Sequence, residues 1–383
     1  MVSAADSVEP SVRTPFRLGH RPALDGLRGV AILLVMIRHS PLIAYLPEAR
    51  LGVDIFFVLS GFLITALLCE ERAGTGAICL PAFFRRRAVR LLPALALFLI
   101  ASIPFNRIVY GPESVAAGLV DGCGVLFYYY NWSVVAEGGI RSWVFGHTWS
   151  LAIEEQFYLV WPAVLLLLFR SRRGRMWAVL ATSAGIVVPL VLRLIFATTT
   201  PDADAAWLRI YYGTDTRADG LFAGALLALI ACGDRLPRGR WSRLGLRVAA
   251  LLAVAFLAVS CVEVAPASWY QLGLRFSLIA LASVAIIAAL LCGAVPLLDR
   301  VLRLSPLTAL GRLSYGLYLW HIPVNIVLIG DPNAWGPGLQ PRLSIALAAF
   351  DIALAIVWLS YRLVERPCLQ WNAIRMARTR PIG

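Results

Sequence analysis

Arg28 and His39 sit 11 residues apart in an otherwise apolar run, and both side chains can do chemistry. At 100° and 1.5 Å per residue a helix places them on one face, about 16 Å apart. An ionisable group within an apolar span is costly unless paired or solvated, so such groups mark candidate sites. An arginine near one end and a histidine deep on the same stripe suit a long substrate with an anionic head and a reactive far end. Acyl-coenzyme A has that form, with phosphates at one end and a thioester at the other. A neutral imidazole in apolar surroundings can serve as a general base. The plainer readings are that Arg28 snorkels to the interface and that His39 is a structural hydrogen-bonding group. Asp54 lies across a short hairpin at a depth near that of His39. It either orients the imidazole, as carboxylates do in hydrolytic triads, or pairs with Arg38; spacing leaves both open.

A second cluster is the basic run Arg85–Arg90. Arg87 and Arg90 are three residues apart, neighbours on one helical face, with a shape that suits phosphate or pyrophosphate; the alternative is an anchor for lipid headgroups. A third is the segment 147–158, with Trp149 and the adjacent carboxylates Glu154 and Glu155. Adjacent residues point to different sides of a helix, so at most one of the two is expected to face a given cavity. Arg217, Asp219, Ser314, Tyr315 and His321 complete the candidates, and His321 is a rival to His39 as the base.

The elements that must hold these residues are membrane helices. Of the 383 residues 60% are hydrophobic and only 15% charged, more apolar surface than a soluble protein can hide and repeatedly enough for spans of about 20 residues. The expected fold class is all-α, a polytopic transmembrane bundle of about ten spans: 25–46, 51–70, 90–108, 147–169, 176–196, 214–232, 244–262, 270–292, 307–329 and 342–363. Arginine clusters in alternate loops place both termini in the cytoplasm and make 113–135 an external or re-entrant segment. The organisation follows: a cytoplasmic segment 1–24, a membrane domain 25–367 and a cytoplasmic tail 368–383, with no cleavable signal peptide. The net charge of +13 does not indicate nucleic acid, because the basic residues, all arginine, fall in short clusters between apolar segments. Seven cysteines without a paired spacing indicate neither a disulfide framework nor a thiolate site, and four separated histidines suggest no metal.

Taken in order, these motifs resemble the integral-membrane acyltransferase family 3, bacterial O-acyltransferases of surface polysaccharides, lipids, nodulation factors and macrolides. The matching stretches are Leu24–Ala31 continuing to His39, Gly52–Phe62, Arg85–Pro93, Thr148–Tyr158, Arg217–Leu221, Leu313–His321 and Glu365–Pro367. The resemblance implies a ten-span bundle in the bacterial inner membrane that takes an acyl group, acetyl by default, from cytoplasmic acyl-CoA. The acceptor would be a hydroxyl of a glycan, glycolipid or macrolide. It maps the family's Arg and His of the first span to Arg28 and His39, its paired arginines to Arg87 and Arg90, and its recurrent carboxylate to Glu154. Many members carry a C-terminal esterase-like domain; ending just past its last span, this chain is expected to be the stand-alone type. The competing class is a transporter or flippase for an acylated glycan or anionic solute, which equally needs buried charge in a helical cavity. Asp202-Ala-Asp204 resembles a metal motif by chance spacing.

Overall fold

The computed structural model describes residues 17–263, 270–330 and 343–378. Most of the expected cytoplasmic segment 1–24, the loops before the expected spans 270–292 and 342–363, and the end of the tail 368–383 lie outside the described residues. Among the described residues every regular element is helical: α1 (Pro22–Arg38), α2 (Leu51–Thr75) and α3 (Leu80–Tyr110), then the short α4 (Ser114–Leu126), α5 (Tyr130–Ala136) and α6 (Trp143–Gly146). α7 (Trp149–Leu168) and α8 (Gly174–Thr199) are followed by α9 (Ala203–Tyr212), α10 (Thr214–Arg217) and α11 (Asp219–Cys232). The chain continues through α12 (Arg240–Val262), α13 (Arg275–Leu291), α14 (Pro296–Leu302), α15 (Ser305–Ile329), α16 (Leu343–Ser360) and α17 (Arg366–Arg378).

Among the described residues seven helical stretches have the length and composition to cross a bilayer, from Leu51–Thr75 to Leu343–Asn372. The remaining three expected spans correspond to α1, α11 and α15, which are shorter or more polar and pack inside the bundle. The first expected span, 25–46, is cut short: α1 ends at Arg38 and a 3-10 turn, Pro41–Ala44, follows. The cause is local. Pro41 disfavours helical backbone at the residue before it, and Ser40 turns outward to accept from the Leu42 N–H through its hydroxyl. α4 has 13 residues, a rise of about 20 Å against a hydrocarbon core of about 30 Å; it packs on α3.

Apolar side chains on the outer helices point away from the bundle, such as Ile100 (72% exposed) on α3 and Leu252 (66%) on α12. Arginines occupy the interior, with Arg193 fully buried. That inversion suits a bundle solvated by lipid around a polar centre.

Small residues set the central contacts. α1 meets α15, and α2 meets α11. A Cβ on Gly61 would lie 1.8 Å from the Leu221 carbonyl oxygen, and one on Gly311 would lie 1.8 Å from that of Asp25. Only glycine lets backbones come so close. The α1–α15 contact puts Arg28 and His39 of one helix beside Ser314 and His321 of the other.

Candidate active site

A cavity of about 320 Å³ lies among α1, α2, α3, α7 and α15. Its walls include Arg28, Arg87, Arg90, Glu154, Ser314 and Tyr315, six candidates drawn from four separate sequence segments. Arg28 is held by α15, donating 2.9 Å to Ser314 Oγ and 3.3 Å to the Gly311 carbonyl. Arg87 donates to Glu155 at 3.0 and 3.4 Å and lies over the Tyr158 ring, 3.1 Å from its centroid. Arg90 and Arg312 are exposed at the rim, and neither makes a hydrogen bond or ion pair among the described residues.

Glu154 accepts from Ser60 Oγ at 2.5 Å and from the Tyr158 hydroxyl. The expectation that only one of Glu154 and Glu155 could face a given cavity is corrected: both line this one. The Arg87 guanidinium lies 3.0 Å from Glu155 and 3.9 Å from Glu154. Two carboxylates can share a wall when one cation neutralises both.

At its deep end the cavity is lined by Ser150 and Tyr318. The Tyr318 hydroxyl lies 2.6 Å from the His147 carbonyl, to which it must donate, and 2.5 Å from Ser150 Oγ, from which it therefore accepts. One helical turn further along α15 stands His321, its ring centroid 5.7 Å from that of Tyr318. His39, half-buried at the end of α1, meets it: Nδ1 of His39 is 3.2 Å from Nε2 of His321. Asn325 donates 2.5 Å to the His39 carbonyl. His147 packs against His321 with centroids 5.0 Å apart. Three histidines called separated by the sequence thus converge, though no group of His, Cys, Asp or Glu among the described residues is arranged to hold a metal ion.

α15 accordingly carries a continuous stripe, Gly311, Ser314, Tyr318, His321 and Asn325, whose spacing of three or four residues is one helical face. It runs from the arginines to the histidines.

Other candidates go elsewhere. Asp54 neither orients His39 nor pairs with Arg38; it accepts from Arg217 at 2.6 Å. Asp219 binds Arg193 at 2.7 Å and Ser277 at 2.7 Å. Arg217 and Asp219, expected to bind substrate, are both buried in these pairs. Trp149 is buried too, 4.7 Å centroid to centroid from Tyr211, while its neighbour Ser150 lines the cavity. Asp202 caps α9, accepting from the Asp204 and Ala205 N–H groups, which accounts for the metal-like spacing.

Ser60, Ser150, Tyr158, Tyr318 and Asn325 were not singled out by sequence. The one available signal was periodic: Tyr318 and Asn325 continue the Ser314–His321 register.

A helical bundle with an arginine-rimmed cavity and a histidine pair just beyond it has the parts that a membrane-embedded group-transfer enzyme needs. Comparison with known proteins narrows that class. Residues 21–362 match the acyltransferase-domain family, and the chain belongs to that family. It is 31% identical over 362 residues to the peptidoglycan O-acetyltransferase OatA of Listeria monocytogenes, covering 90% of this chain and 55% of that protein. It is 33% identical over 361 residues to the O-acetyltransferase OatA of Staphylococcus aureus, covering 90% of this chain and 57% of that protein. The chain thus spans about half the length of the curated relatives it matches. No solved structure matches. Membership in an acyltransferase family sets aside the transporter reading.

Proposed function

We propose that this chain moves an acetyl group from acyl-CoA to a hydroxyl of a cell-wall glycan at the membrane. The observation that supports this most is the cavity itself. It has unpaired arginines, Arg90 and Arg312, at its rim, and the histidine pair stands just beyond its deep end. Arg28, Arg87, Arg90 and Arg312 provide cationic contacts for the phosphates of the donor. The pantetheine arm then extends past Glu154 toward Ser150 and Tyr318. Both OatA relatives are named O-acetyltransferases, and one is named for peptidoglycan; these names supply the acyl group and acceptor class proposed here.

In the chemical step His39 takes the proton of the acceptor hydroxyl as its oxygen attacks the thioester carbonyl. The tetrahedral intermediate collapses by breaking the C–S bond. The thiolate leaves with the proton held by His39, giving ester and free CoA. Positioned general-base assistance of this kind contributes about 10²–10⁴-fold. The donor enters from the end of the bundle where α1 and α3 begin, the side to which arginine bias assigns the cytoplasm, in the bacterial inner membrane.

The test is thiol release from acetyl-CoA by purified protein offered soluble peptidoglycan fragments, wild type beside His39→Ala. Acceptor-dependent release lost in the variant is the expected result. Equal release in both would overturn the role of His39, and no release in either would overturn the donor or the acceptor.

A further inference from the structure

We infer that His321 is a positioning residue that holds the His39 ring in the orientation leaving its Nε2 free to act as the base. The inference rests on the reading of His39 as the base and adds which nitrogen does the work and why.

The oxygen atoms around the two rings fix where their hydrogens sit. His321 Nδ1 lies 2.8 Å from the Tyr318 carbonyl and 3.2 Å from the Leu317 carbonyl. Carbonyl oxygens only accept, so this nitrogen carries hydrogen. In the neutral ring Nε2 of His321 is then an acceptor. His39 Nδ1 lies 2.9 Å from the Val35 carbonyl and 3.2 Å from that Nε2. Both neighbours are acceptors, so Nδ1 of His39 must be the donor, its N–H shared between them. One assignment of two neutral rings satisfies every contact: hydrogen on each Nδ1 and a lone pair on each Nε2. The His321 lone pair is occupied by His39. The His39 lone pair makes no hydrogen bond among the described residues, and His39 is only partly buried.

The asymmetry separates the two candidate bases. His321 is 1% exposed and its acceptor nitrogen is engaged, whereas His39 presents Nε2 unengaged. When His39 takes the acceptor proton at Nε2, its Nδ1–H keeps both acceptors, so the imidazolium forms without any hydrogen bond breaking. The Val35 carbonyl by itself keeps the hydrogen on His39 Nδ1; what His321 adds is ring orientation, the part a carboxylate also plays in hydrolytic triads. The protein reaches that arrangement without Asp54. Asn325, one turn beyond His321, adds a grip on the His39 backbone, so one face of α15 holds both the ring and the chain that carries it. His147 is not part of this device, because neither of its ring nitrogens finds a hydrogen-bond partner of normal geometry among the described residues.

Near-isosteres test it. The side-chain oxygen of glutamine reaches the position of ring Nε2, whereas that of asparagine reaches only the position of Nδ1, facing the two carbonyls. The full chain is purified with His321→Gln, His321→Asn and His321→Ala. Acetyl-CoA and soluble peptidoglycan fragments give kcat and KM by thiol release, and thermal melts confirm folding. The Asn and Ala variants are expected to lose about 10²-fold in kcat, the scale of a misplaced catalytic group, with KM for acetyl-CoA unchanged. The Gln variant recovers most of the rate, an outcome that a merely structural role would not give. A folded Gln variant as slow as Asn, or an Asn variant at the wild-type rate, overturns the inference. The His39→Ala comparison keeps the parent reading separate. If that variant is inactive while His321→Asn runs at the wild-type rate, only the positioning role fails; if it is active, the base assignment itself is wrong.

Discussion

Two regions of this molecule are rich in arginine within apolar helices, and they are built on opposite principles. Arg193, Arg217 and Arg275 are each almost wholly buried and bound to a carboxylate, Asp219, Asp54 and Glu48 respectively, at 2.6 to 2.7 Å, Glu48 being shared with Arg50. Around the cavity, Arg87 alone meets carboxylates, while Arg28 is held by a hydroxyl and a carbonyl, and Arg90 and Arg312 are unpaired among the described residues. In the first arrangement every buried guanidinium has a carboxylate, and the pairs fasten α2, α8, α10, α11 and α13 together. The second leaves positive charge to be neutralised by something that arrives. Buried charge in a membrane bundle therefore marks function only where the protein has withheld the partner.

The comparison can be broken at several points. His39→Ala is expected to have the largest effect, a loss of about 10²–10⁴-fold in kcat measured by thiol release, with the melting temperature unchanged. Truncating one half of a closed pair should act on stability instead. Asp54→Ala leaves Arg217 buried and uncompensated, at a cost of about 3–5 kcal/mol, read as lost folded yield and a lower melting temperature in detergent. Replacing both partners, Asp54→Leu with Arg217→Met, is expected to recover most of that stability; a folded Asp54→Ala variant lacking only turnover would instead place Asp54 in the site. A smaller effect is predicted for Arg90→Ala, which should raise KM for acetyl-CoA about 10-fold, the scale of one charge-assisted contact of about 1.5 kcal/mol. Added salt should shrink that difference, because the contact lies at an exposed rim. Arg312→Ala, changing the other exposed guanidinium, is expected to raise KM only a few-fold.

How far the sequence could be read follows the same division. The helical membrane class was legible because apolar runs of span length are a direct consequence of lipid solvation. Helix ends were less so: Ser40 and Pro41 stop α1 early, and α3 begins ten residues before its apolar stretch, carrying Arg85–Arg90 inside a helix. Arg28, Arg87, Arg90, Glu154, Ser314 and Tyr315 were legible as candidates, since polar groups in spans demand a reason, and they line one cavity. Arg217 and Asp219 met the same criterion and proved to be held in ion pairs, because a sequence shows a charge but not its partner. The meeting of His39 with His321 joins residues 282 positions apart, and no local pattern announces it. What the α15 stripe meets becomes visible only once Gly29 and Gly311 are seen to bring α1 and α15 together.

The central claim is that one end of the cavity binds the donor and the other end transfers the acyl group. Equilibrium binding of CoA to the His39→Ala variant, set beside its turnover, tests that division most directly. The account predicts wild-type affinity in a protein that no longer transfers acetyl. Loss of CoA binding in step with activity would contradict it, by placing His39 in the donor site rather than in the chemistry beyond it.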